Sequence, residues 1–381
     1  MASERIGNGM HEPLAAGLRL TASDRPGVAQ PVPERDIPPQ PWGPIALAAA
    51  ILFLAMVGAW EGYWRDFGVT PSYRNTNGQW AKERRRIDEG EGGSTVLIGS
   101  SRMLFDVQLP VWEELTGERP IQLAMEGTSA MPTLDDLAND ANFTGRLLID
   151  ITPLGFFATE STRADIVPYF HKESPSDRIG TWISMTFVEP YLAFYDPDFA
   201  LATIVRRQPW PERPGAPLRA LPRKIVNHDL DRNSRMWSKI ETDPAYQAVV
   251  RARWVQTFAD PLPPDMSTPE KAAKVIDAKV ARAQAAVDVL RRRGVRMVLF
   301  RPPSTGPFLD RENRLLPREK TWDLLVQRTG LPAIHFEDHA ELQGYELPEW
   351  SHLSESEARR FTAALAPIVE REFAKLQAER D

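Results

Sequence analysis

The chain of 381 residues contains no cysteine, which excludes disulfides, thiolate metal sites and cysteine nucleophiles. It has no glycine-rich loop of the Walker type, so the sequence predicts no P-loop nucleotide site. Positive charge is not in excess either, because 46 Lys and Arg against 52 Asp and Glu leave a formal net charge of −6. We therefore expect no nucleic-acid partner. The 42% hydrophobic and 26% charged residues are typical of a folded globular protein.

One long apolar run is present, "GPIALAAAILFLAMVGAW" at residues 43–60. Its length is near the lower limit for crossing a bilayer, for which about 20 residues are usual. Aromatic residues flank it, as they do at membrane interfaces: Trp42, Tyr63 and Trp64. The sequence predicts a transmembrane helix over 43–60, with a buried core helix as the alternative. Residues 1–42 are rich in Pro, Gly and Ala without sustained periodicity, which predicts a disordered tail and disfavours a cleaved signal peptide.

Basic residues near the apolar run leave its orientation open. Arg25 and Arg35 precede the run, while Arg65 and Arg74 follow it. This balance is a tie under the positive-inside rule, and the basic cluster at 82–86 tilts it toward a cytoplasmic C-terminal side. A periplasmic placement of the main domain must therefore rest on other grounds.

The rest of the chain alternates apolar strand-like runs with helical patterns. After a membrane-proximal connector at 61–93, strands are predicted at 94–101, 120–127, 145–153, 295–303 and 332–338. This alternation predicts an α/β fold, a three-layer α/β/α domain over 94–381 with a central parallel sheet. The clearest helix has Ser267 and Glu270 as a predicted capping box and ends at Gly294. Prolines within about 158–266 predict an irregular insertion, part helix and part loop, without long regular elements.

Two sequence features could carry chemistry. "VLIGSS" places Ser101 directly after the first strand, where α/β folds expose reactive groups, although a serine there could equally be a helix N-cap. "PEWSH" places Glu349 three residues before His352, close to the last helix. A serine nucleophile needs a neighbouring base, and a carboxylate can fix the tautomer of that base. We therefore expect Ser101, His352 and Glu349 to meet at one sheet edge.

The Gly99-Ser100-Ser101 turn and the Glu349-x-x-His352 motif resemble those of the SGNH (GDSL-type) hydrolase superfamily. They are most similar to its membrane-anchored members in envelope-polymer O-acylation, such as alginate O-acetylation and teichoic-acid D-alanylation proteins. The resemblance covers roughly residues 94–157 and 267–375. It implies a flavodoxin-like α/β/α fold with Ser101 as nucleophile, His352 as base and Glu349 as the acid that orients His352.

The resemblance also implies where an oxyanion would be held. Gly127, after the second strand, falls where the family supplies a backbone N–H. The chain departs from the family in having Glu349 where Asp is usual. It also has no Asn at the third family block, where "IDITP" stands and Thr152 or the local backbone is the expected substitute. These departures concern stabilisation of the transition state more than the fold.

Several other residues have two interpretations each. Arg102 could pair with a substrate anion, although a nearby carboxylate is the favoured partner. Arg301, which closes a strand, could line the substrate cleft, and a plain structural loop accounts for it equally well. "IHFEDH" has metal-ligand residue types but no third obvious ligand, so no metal is expected. Aromatic residues of the insertion could stack on sugar rings, although such residues more often pack. The residues concerned are His335, Asp338 and His339 for the metal, and Tyr191, Phe194 and Tyr195 for the sugar.

The apolar run predicts a single-pass membrane protein, and the resemblance implies the bacterial inner membrane with the main domain in the periplasm. Its expected activity is that of a serine-dependent O-acetyltransferase or esterase on a cell-envelope polysaccharide, without a cofactor. A membrane-bound O-acyltransferase partner is implied only by the resemblance. Because the oxyanion Asn is missing, a catalytically inactive scaffold subunit of a polysaccharide assembly complex is the alternative. The polymer, the acyl group, transfer versus hydrolysis and the oligomeric state stay open.

Overall fold

The computed structural model describes residues 39–158, 163–207, 224–259 and 263–380. The chain divides into two compact units, Met1–Ala59 and Trp60–Asp381. Of the predicted tail, residues 1–38 lie outside the described residues, as do parts of the predicted insertion. Helix α1 (Trp42–Asp66) contains the apolar run and is long and apolar enough to cross a membrane. None of the 18 residues in the most apolar stretch of α1 is buried by the rest of the protein.

The second unit is an α/β structure with a five-stranded, wholly parallel sheet. The described residues form seven strands, five in this sheet and β4 and β5 in a separate pair. Their bounds are β1 (Thr95–Ile98), β2 (Ile121–Gln122), β3 (Arg146–Asp150), β4 (Val226–His228), β5 (Ser234–Met236), β6 (Arg296–Arg301) and β7 (Ala333–His335). Further α-helices are α2 (Asn77–Arg86), α3 (Ser101–Asp106), α4 (Leu109–Thr116), α5 (Met131–Asn139), α6 (Ile166–Lys172), α7 (Pro175–Phe187), α8 (Leu201–Arg206), α9 (Lys239–Thr242), α10 (Pro244–Phe258), α11 (Pro269–Arg293), α12 (Gly306–Leu315), α13 (Trp322–Thr329) and α14 (Glu355–Ala378). The five predicted strands and their parallel pairing are confirmed.

The sheet has the order β2-β1-β3-β6-β7, so β3 is the middle strand and pairs with β1 on one side and β6 on the other. Val96 pairs with Leu147, and Ile149 pairs with Leu299, which aligns the C-terminal ends of the three central strands. Because all the strands run in one direction, the turns after β1, β2, β3 and β6 emerge at the same edge. This is the edge where the sequence places Ser101.

Alternate residues of the central strands enter two separate apolar clusters. Val96, Ile98 and Ile149 belong to a cluster that includes side chains of α5, α11 and α13. Leu97 and Leu148 belong to the other, which includes side chains of α3, α4 and α14. Each fully buried aliphatic side chain is worth roughly 1.5–3 kcal/mol relative to exposure. Burial on both faces explains why these strands read as continuous apolar runs.

Helix termini agree with the sequence except at the start of α11. Gly294 ends α11 in the left-handed conformation, with φ of 89°, as predicted. Ser354 caps α14 by accepting a hydrogen bond from the N–H of Glu357. The N-cap of α11 is Thr268, not Ser267, because the Thr268 side chain accepts from the N–H of Lys271. The prediction was wrong by one residue, since adjacent hydroxyl residues offer the same capping chemistry.

The region of the predicted insertion is more regular than its prolines indicate. Helices α7 and α10 have 13 and 15 residues, and each begins with a proline at its first turn. Proline is tolerated there because its missing N–H would have no intrahelical acceptor. Strands β4 and β5 form an antiparallel hairpin that the sequence analysis did not identify. The expectation that proline excludes long elements was therefore wrong for this region.

Candidate functional site

The turn between β1 and α3 separates the roles of its two serines. Gly99 has φ of 150°, and a Cβ at this position would overlap with the side chain of Asp150 at the end of β3. Ser100 is the N-cap of α3, where its Oγ accepts a hydrogen bond from the N–H of Arg102 at 3.2 Å. Ser101 is the first helical residue, so its hydroxyl is not used in capping. The N-cap alternative therefore applies to Ser100.

The hydroxyl of Ser101 lies 2.8 Å from Nε2 of His352. Nδ1 of His352 lies 2.8 Å from Oε1 of Glu349, and the backbone N–H of His352 donates to the same oxygen at 2.6 Å. His352 and Glu349 are 2% and 1% exposed, whereas Ser101 is half-buried. The structure thus brings together all three residues that the sequence predicted for serine chemistry.

The carboxylate of Glu349 determines which nitrogen of His352 is protonated. An ionised carboxylate only accepts hydrogen bonds, so in a neutral imidazole beside it Nδ1 carries the hydrogen. Nε2 then carries the lone pair and accepts the hydroxyl hydrogen of Ser101. The ring of Phe105 packs against the imidazole with a centroid distance of 4.3 Å, which limits its rotation. This arrangement is the one that a general base requires.

Helix α10 holds the turn that carries Glu349. The indole N–H of Trp254 donates to Oε2 of Glu349, which leaves Oε1 to His352. The Arg251 guanidinium donates to the carbonyl of Pro348 at 2.7 Å and lies 5.2 Å from the ring centre of Trp350. A helix of the predicted insertion region therefore orients the carboxylate of Glu349.

Trp350 has a left-handed backbone, with φ of 72°, between Glu349 and His352. Such a conformation costs of order 1–3 kcal/mol in a bulky residue and persists only where neighbours hold it. The carbonyl of Trp350 accepts a hydrogen bond from the N–H of Thr305 at 2.9 Å, just before α12. The strained residue lets Oε1 of Glu349 reach both the backbone N–H and Nδ1 of His352.

Asp150 supports the serine turn from the end of β3. Its Oδ2 accepts hydrogen bonds from the N–H and the hydroxyl of Ser100, and its Oδ1 accepts from Thr152 at 3.0 Å. Burial raises the pKa of Asp150 above its ordinary value, while these donors lower it. The Thr152 hydroxyl also lies 2.7 Å from the Ser100 hydroxyl. Thr152 therefore contacts the turn that presents Ser101, and its role toward an oxyanion stays a prediction.

Asp106 links the two halves of the site from the C-terminal end of α3. Its Oδ1 accepts a hydrogen bond from the N–H of Leu353, the residue after His352, at 2.9 Å. Its Oδ2 is buried and has no hydrogen-bond partner among the residues that the structure describes. Burial raises the pKa of Asp106 well above its ordinary value. Helix α3 is thus fixed to the His352 turn at both of its ends.

Arg102 and Arg301 converge on Glu312 of α12. Arg102 donates to Oε1 of Glu312 at 3.0 Å, and Arg301 donates to Oε2 at 2.8 Å. Both guanidinium groups are buried, and Ser304 donates to the same carboxylate. Burial raises the pKa of Glu312, but the two arginines outweigh it and hold the pKa below its ordinary value. The contacts therefore match carboxylate pairing, and neither arginine presents an open face to a substrate anion.

Gly127 follows the short strand β2, next to the serine turn. The N–H of Met125, two residues earlier, donates to the carbonyl of Gly99 at 3.1 Å, which continues the pairing of β1 with β2. Gly127 is exposed and lies at the same sheet edge as Ser101. Its role as an oxyanion donor stays a prediction.

The residues considered for a metal or for sugar stacking have other partners. Asp338 pairs through both oxygens with Arg318, at 2.7 and 2.6 Å, and His335 accepts from the N–H of Glu337. Burial lowers the pKa of His335 to about 3. In the part of the chain that the structure describes, no group of three or more His, Cys, Asp or Glu side chains could hold a metal ion.

The insertion aromatics differ from one another in their surroundings. Phe194 packs in an apolar cluster with Trp64, and the Arg74 guanidinium lies 5.1 Å from the ring centre of Tyr195. Tyr191 is exposed. Packing thus accounts for Phe194, and sugar stacking stays a prediction for the other two.

Three supports of the site could not be predicted from the sequence: Trp254, Asp106 and Phe105. Their contacts join segments that are far apart in the chain, so no local pattern marks them. Asp106 lies 247 residues from Leu353, and Trp254 lies 95 residues from Glu349. No protein-family model and no curated protein matches this chain.

Proposed function

We propose that this protein is a membrane-anchored, serine-dependent acyl-ester enzyme that acts on a cell-envelope polysaccharide. The observation that carries the proposal is the continuous hydrogen-bonded chain from Ser101 through His352 to Glu349. Ser101 and His352 are 251 residues apart in sequence, and yet their reacting atoms lie at hydrogen-bond distance. In this proposal the α/β unit is a three-layer domain of the SGNH kind.

The first half of the reaction forms an acyl-enzyme. Ser101 Oγ attacks the carbonyl carbon of an acyl ester while its proton passes to Nε2 of His352. Glu349 stabilises the resulting imidazolium through Nδ1–H. The tetrahedral intermediate then expels the alcohol of the donor, which takes the proton back from Nε2. The products are the acyl ester of Ser101 and the free alcohol.

The second half transfers the acyl group onward. A sugar hydroxyl, or water, loses its proton to Nε2 of His352 and attacks the acyl-enzyme carbonyl. Collapse of the second intermediate releases Ser101, which recovers the proton. A sugar acceptor gives a transferase and water gives an esterase, with the same roles for the three residues.

Stabilisation of the oxyanion is assigned to backbone N–H groups. The N–H of Ser101, in the first turn of α3, has no acceptor among the residues that the structure describes. The resemblance adds the N–H of Gly127 from the neighbouring turn. Each such donor is typically worth about 3–4 kcal/mol in the transition state. Backbone donors can serve where the superfamily Asn is missing.

Helix α1 supplies the proposed membrane anchor. Its length and apolar composition fit a single span. We assign the span to the bacterial inner membrane and the catalytic unit to the periplasm, where the polysaccharide lies. The family resemblance adds a membrane-bound O-acyltransferase as the source of acyl groups.

Hydrolysis of an aryl acetate by the full chain in detergent tests this function. We expect Ser101→Ala to abolish turnover while Ser356→Ala, which removes an exposed hydroxyl outside the triad, keeps it. Both variants should melt within a few degrees of the wild type. Equal turnover by Ser101→Ala, or none by the folded wild-type chain, would overturn the proposal and favour a scaffold subunit.

A further inference from the structure

Helix α7 exposes its apolar side. Ile179, Trp182, Ile183 and Phe187 are 57%, 58%, 44% and 60% exposed. Their spacing of three, one and four residues places them along one side of the helix. Four large apolar side chains in one exposed row differ from the scattered apolar residues of an ordinary surface, and such patches mark interaction sites.

The opposite side of α7 faces the protein through Thr181, Ser184 and Met185. Met185 is buried, and the Ser184 hydroxyl donates to Oε1 of Glu189 at 2.6 Å. Thr181 lies so close to Gly78 of α2 that a Cβ there would overlap with it. A surface helix in contact with water normally buries its apolar side and exposes its polar side. Helix α7 instead exposes its row of large apolar side chains. This orientation calls for a non-aqueous environment outside the protein.

The segment after α7 is hydrogen-bonded to the last turns of α1. Glu61 accepts from the N–H groups of Ala193 and Phe194 at 3.0 and 3.1 Å. Arg65 donates to the carbonyl of Tyr191 at 3.0 Å. Glu61 comes one residue after the apolar run, and Arg65 only four residues later, or about 6 Å along a helix axis. Residues 191–194 are therefore bonded to α1 within about two helical turns of the C-terminal end of the apolar run.

Helix α8 repeats the pattern on the same anchor. Its Ile204 packs with Trp64 of α1 in one apolar cluster, in which Phe199 lies 4.6 Å from Trp64. Leu201 and Val205 of α8 are 63% and 54% exposed. Helix α8, which packs on the end of α1, and helix α7, which precedes the segment bonded to α1, thus carry apolar residues that nothing covers among the described residues.

We propose that the row Ile179, Trp182, Ile183 and Phe187 of α7 lies in the lipid interface of the same bilayer that α1 spans. The inference rests on the proposed span of α1 but not on the catalytic chemistry. Tryptophan and aromatic side chains favour the headgroup boundary, and an amphipathic helix binds there by its apolar side. The lipid surface is the occupant that the hydrogen bonds from residues 191–194 to α1 favour.

Single-cysteine labelling tests this placement cleanly because the natural chain has no cysteine. The full chain is reconstituted in nanodiscs of phosphatidylethanolamine and phosphatidylglycerol, with an environment-sensitive fluorophore on Ile183→Cys. Leu54→Cys in the apolar run reports the span, and exposed Glu341→Cys reports water. Quenching by nitroxide-bearing lipids is compared with quenching by a water-soluble nitroxide at each position.

We expect the label at 183 to lose emission to the lipid-borne quencher, as at 54, while 341 responds only to the soluble one. If 54 is quenched by lipid and 183 by the soluble reagent alone, the interface proposal fails and the span stands. If 54 also responds only to the soluble reagent, the span itself fails. Shielding of 183 in native membranes but not in lipid-only nanodiscs indicates a protein partner and also overturns the proposal.

A second variant separates lipid contact from a general effect of labelling. Ile179→Ser, Trp182→Ser and Phe187→Ser together remove the neighbouring apolar side chains from the row. We expect this background to restore emission at 183 in the presence of lipid-borne quencher and to leave quenching at 54 unchanged. Unchanged lipid quenching at 183 in a normally melting variant contradicts the role of the row.

Discussion

At the scale of single residues, a substitution of Glu349 gives the sharpest test. Both of its carboxylate oxygens accept from N–H donors, one from His352 and the other from Trp254. Glu349→Gln replaces one acceptor oxygen by an NH₂ group, which must face one of these donors. The wrong tautomer of His352 is then favoured, as in serine proteases altered at the same role. We expect kcat/KM for aryl acetate hydrolysis to fall on the order of 10⁴-fold.

Trp254→Phe is the matched control for that variant. It removes one hydrogen bond to Glu349 but leaves the carboxylate and its contact with His352. Its loss of kcat/KM should be smaller than that of Glu349→Gln. Equal losses would mean that Glu349 acts through packing against α10 and not as the partner of His352.

Asp106 makes stability depend on pH. Burial raises its pKa in the folded protein above the unfolded value, so the folded state binds the proton more tightly. Stability is then complete below the unfolded pKa, near 4, and declines as the pH rises toward the folded pKa. Asp106→Asn cannot ionise and can still accept from the N–H of Leu353.

We therefore expect the free energy of unfolding to fall less steeply with pH in Asp106→Asn than in the wild type. Urea unfolding of the detergent-solubilised chain from about pH 4 to pH 7 measures the difference. The expected difference in slope, while the group stays protonated in the folded state, approaches 1.36 kcal/mol per pH unit. Identical slopes would show that Asp106 titrates as it does in the unfolded chain.

At the scale of elements, the start of α11 gives a test with a built-in control. Thr268→Ala removes the side-chain acceptor for the N–H of Lys271 and should destabilise the protein by about 1 kcal/mol. Ser267→Ala removes only an exposed hydroxyl that donates to the carbonyl of Pro264, so its effect should be smaller. Urea unfolding measures the loss of unfolding free energy in each variant. A larger loss in Ser267→Ala than in Thr268→Ala would show that Ser267 is the N-cap.

Some elements could be predicted from local pattern and others could not. The five sheet strands are apolar runs bounded by Gly, Pro or charged residues. Their sequences are apolar at successive positions because both faces of the sheet are buried, and this makes them recognisable. The hairpin of β4 and β5 has only three residues in each strand, too few for a recognisable alternation. Helices α7 and α10 begin with proline, which breaks a helix in its interior but not at its start.

The residues of the site also fall into those that a local sequence pattern predicts and those that it does not. Ser101 could be found because it follows a strand, and Glu349 and His352 because three residues separate them. The partner of Arg102 and Arg301 could not, since it depends on α12, which the sequence analysis did not identify and which brings Glu312 to both guanidinium groups. Ion pairs between residues far apart in the chain produce no periodic pattern in the sequence.

At the scale of the whole molecule, basic residues on either side of the apolar run do not determine topology. The proposed function requires the unit after α1 to face the polysaccharide. We expect an alkaline phosphatase fused to the C-terminus to be active in intact cells, because that reporter folds only outside the cytoplasm. A fusion of equal abundance that is inactive, while a cytoplasmic reporter is active, contradicts the periplasmic placement.

The central claim is that Ser101 becomes a nucleophile through His352. A fluorophosphonate forms a covalent adduct only with an activated serine, and peptide mass spectrometry then locates it. We predict one adduct on Ser101 in the full-length chain, none on the neighbouring Ser100, and a loss of labelling in Ser101→Ala and His352→Ala. A normally folded chain that gains no adduct, or gains it at another residue, would contradict the account.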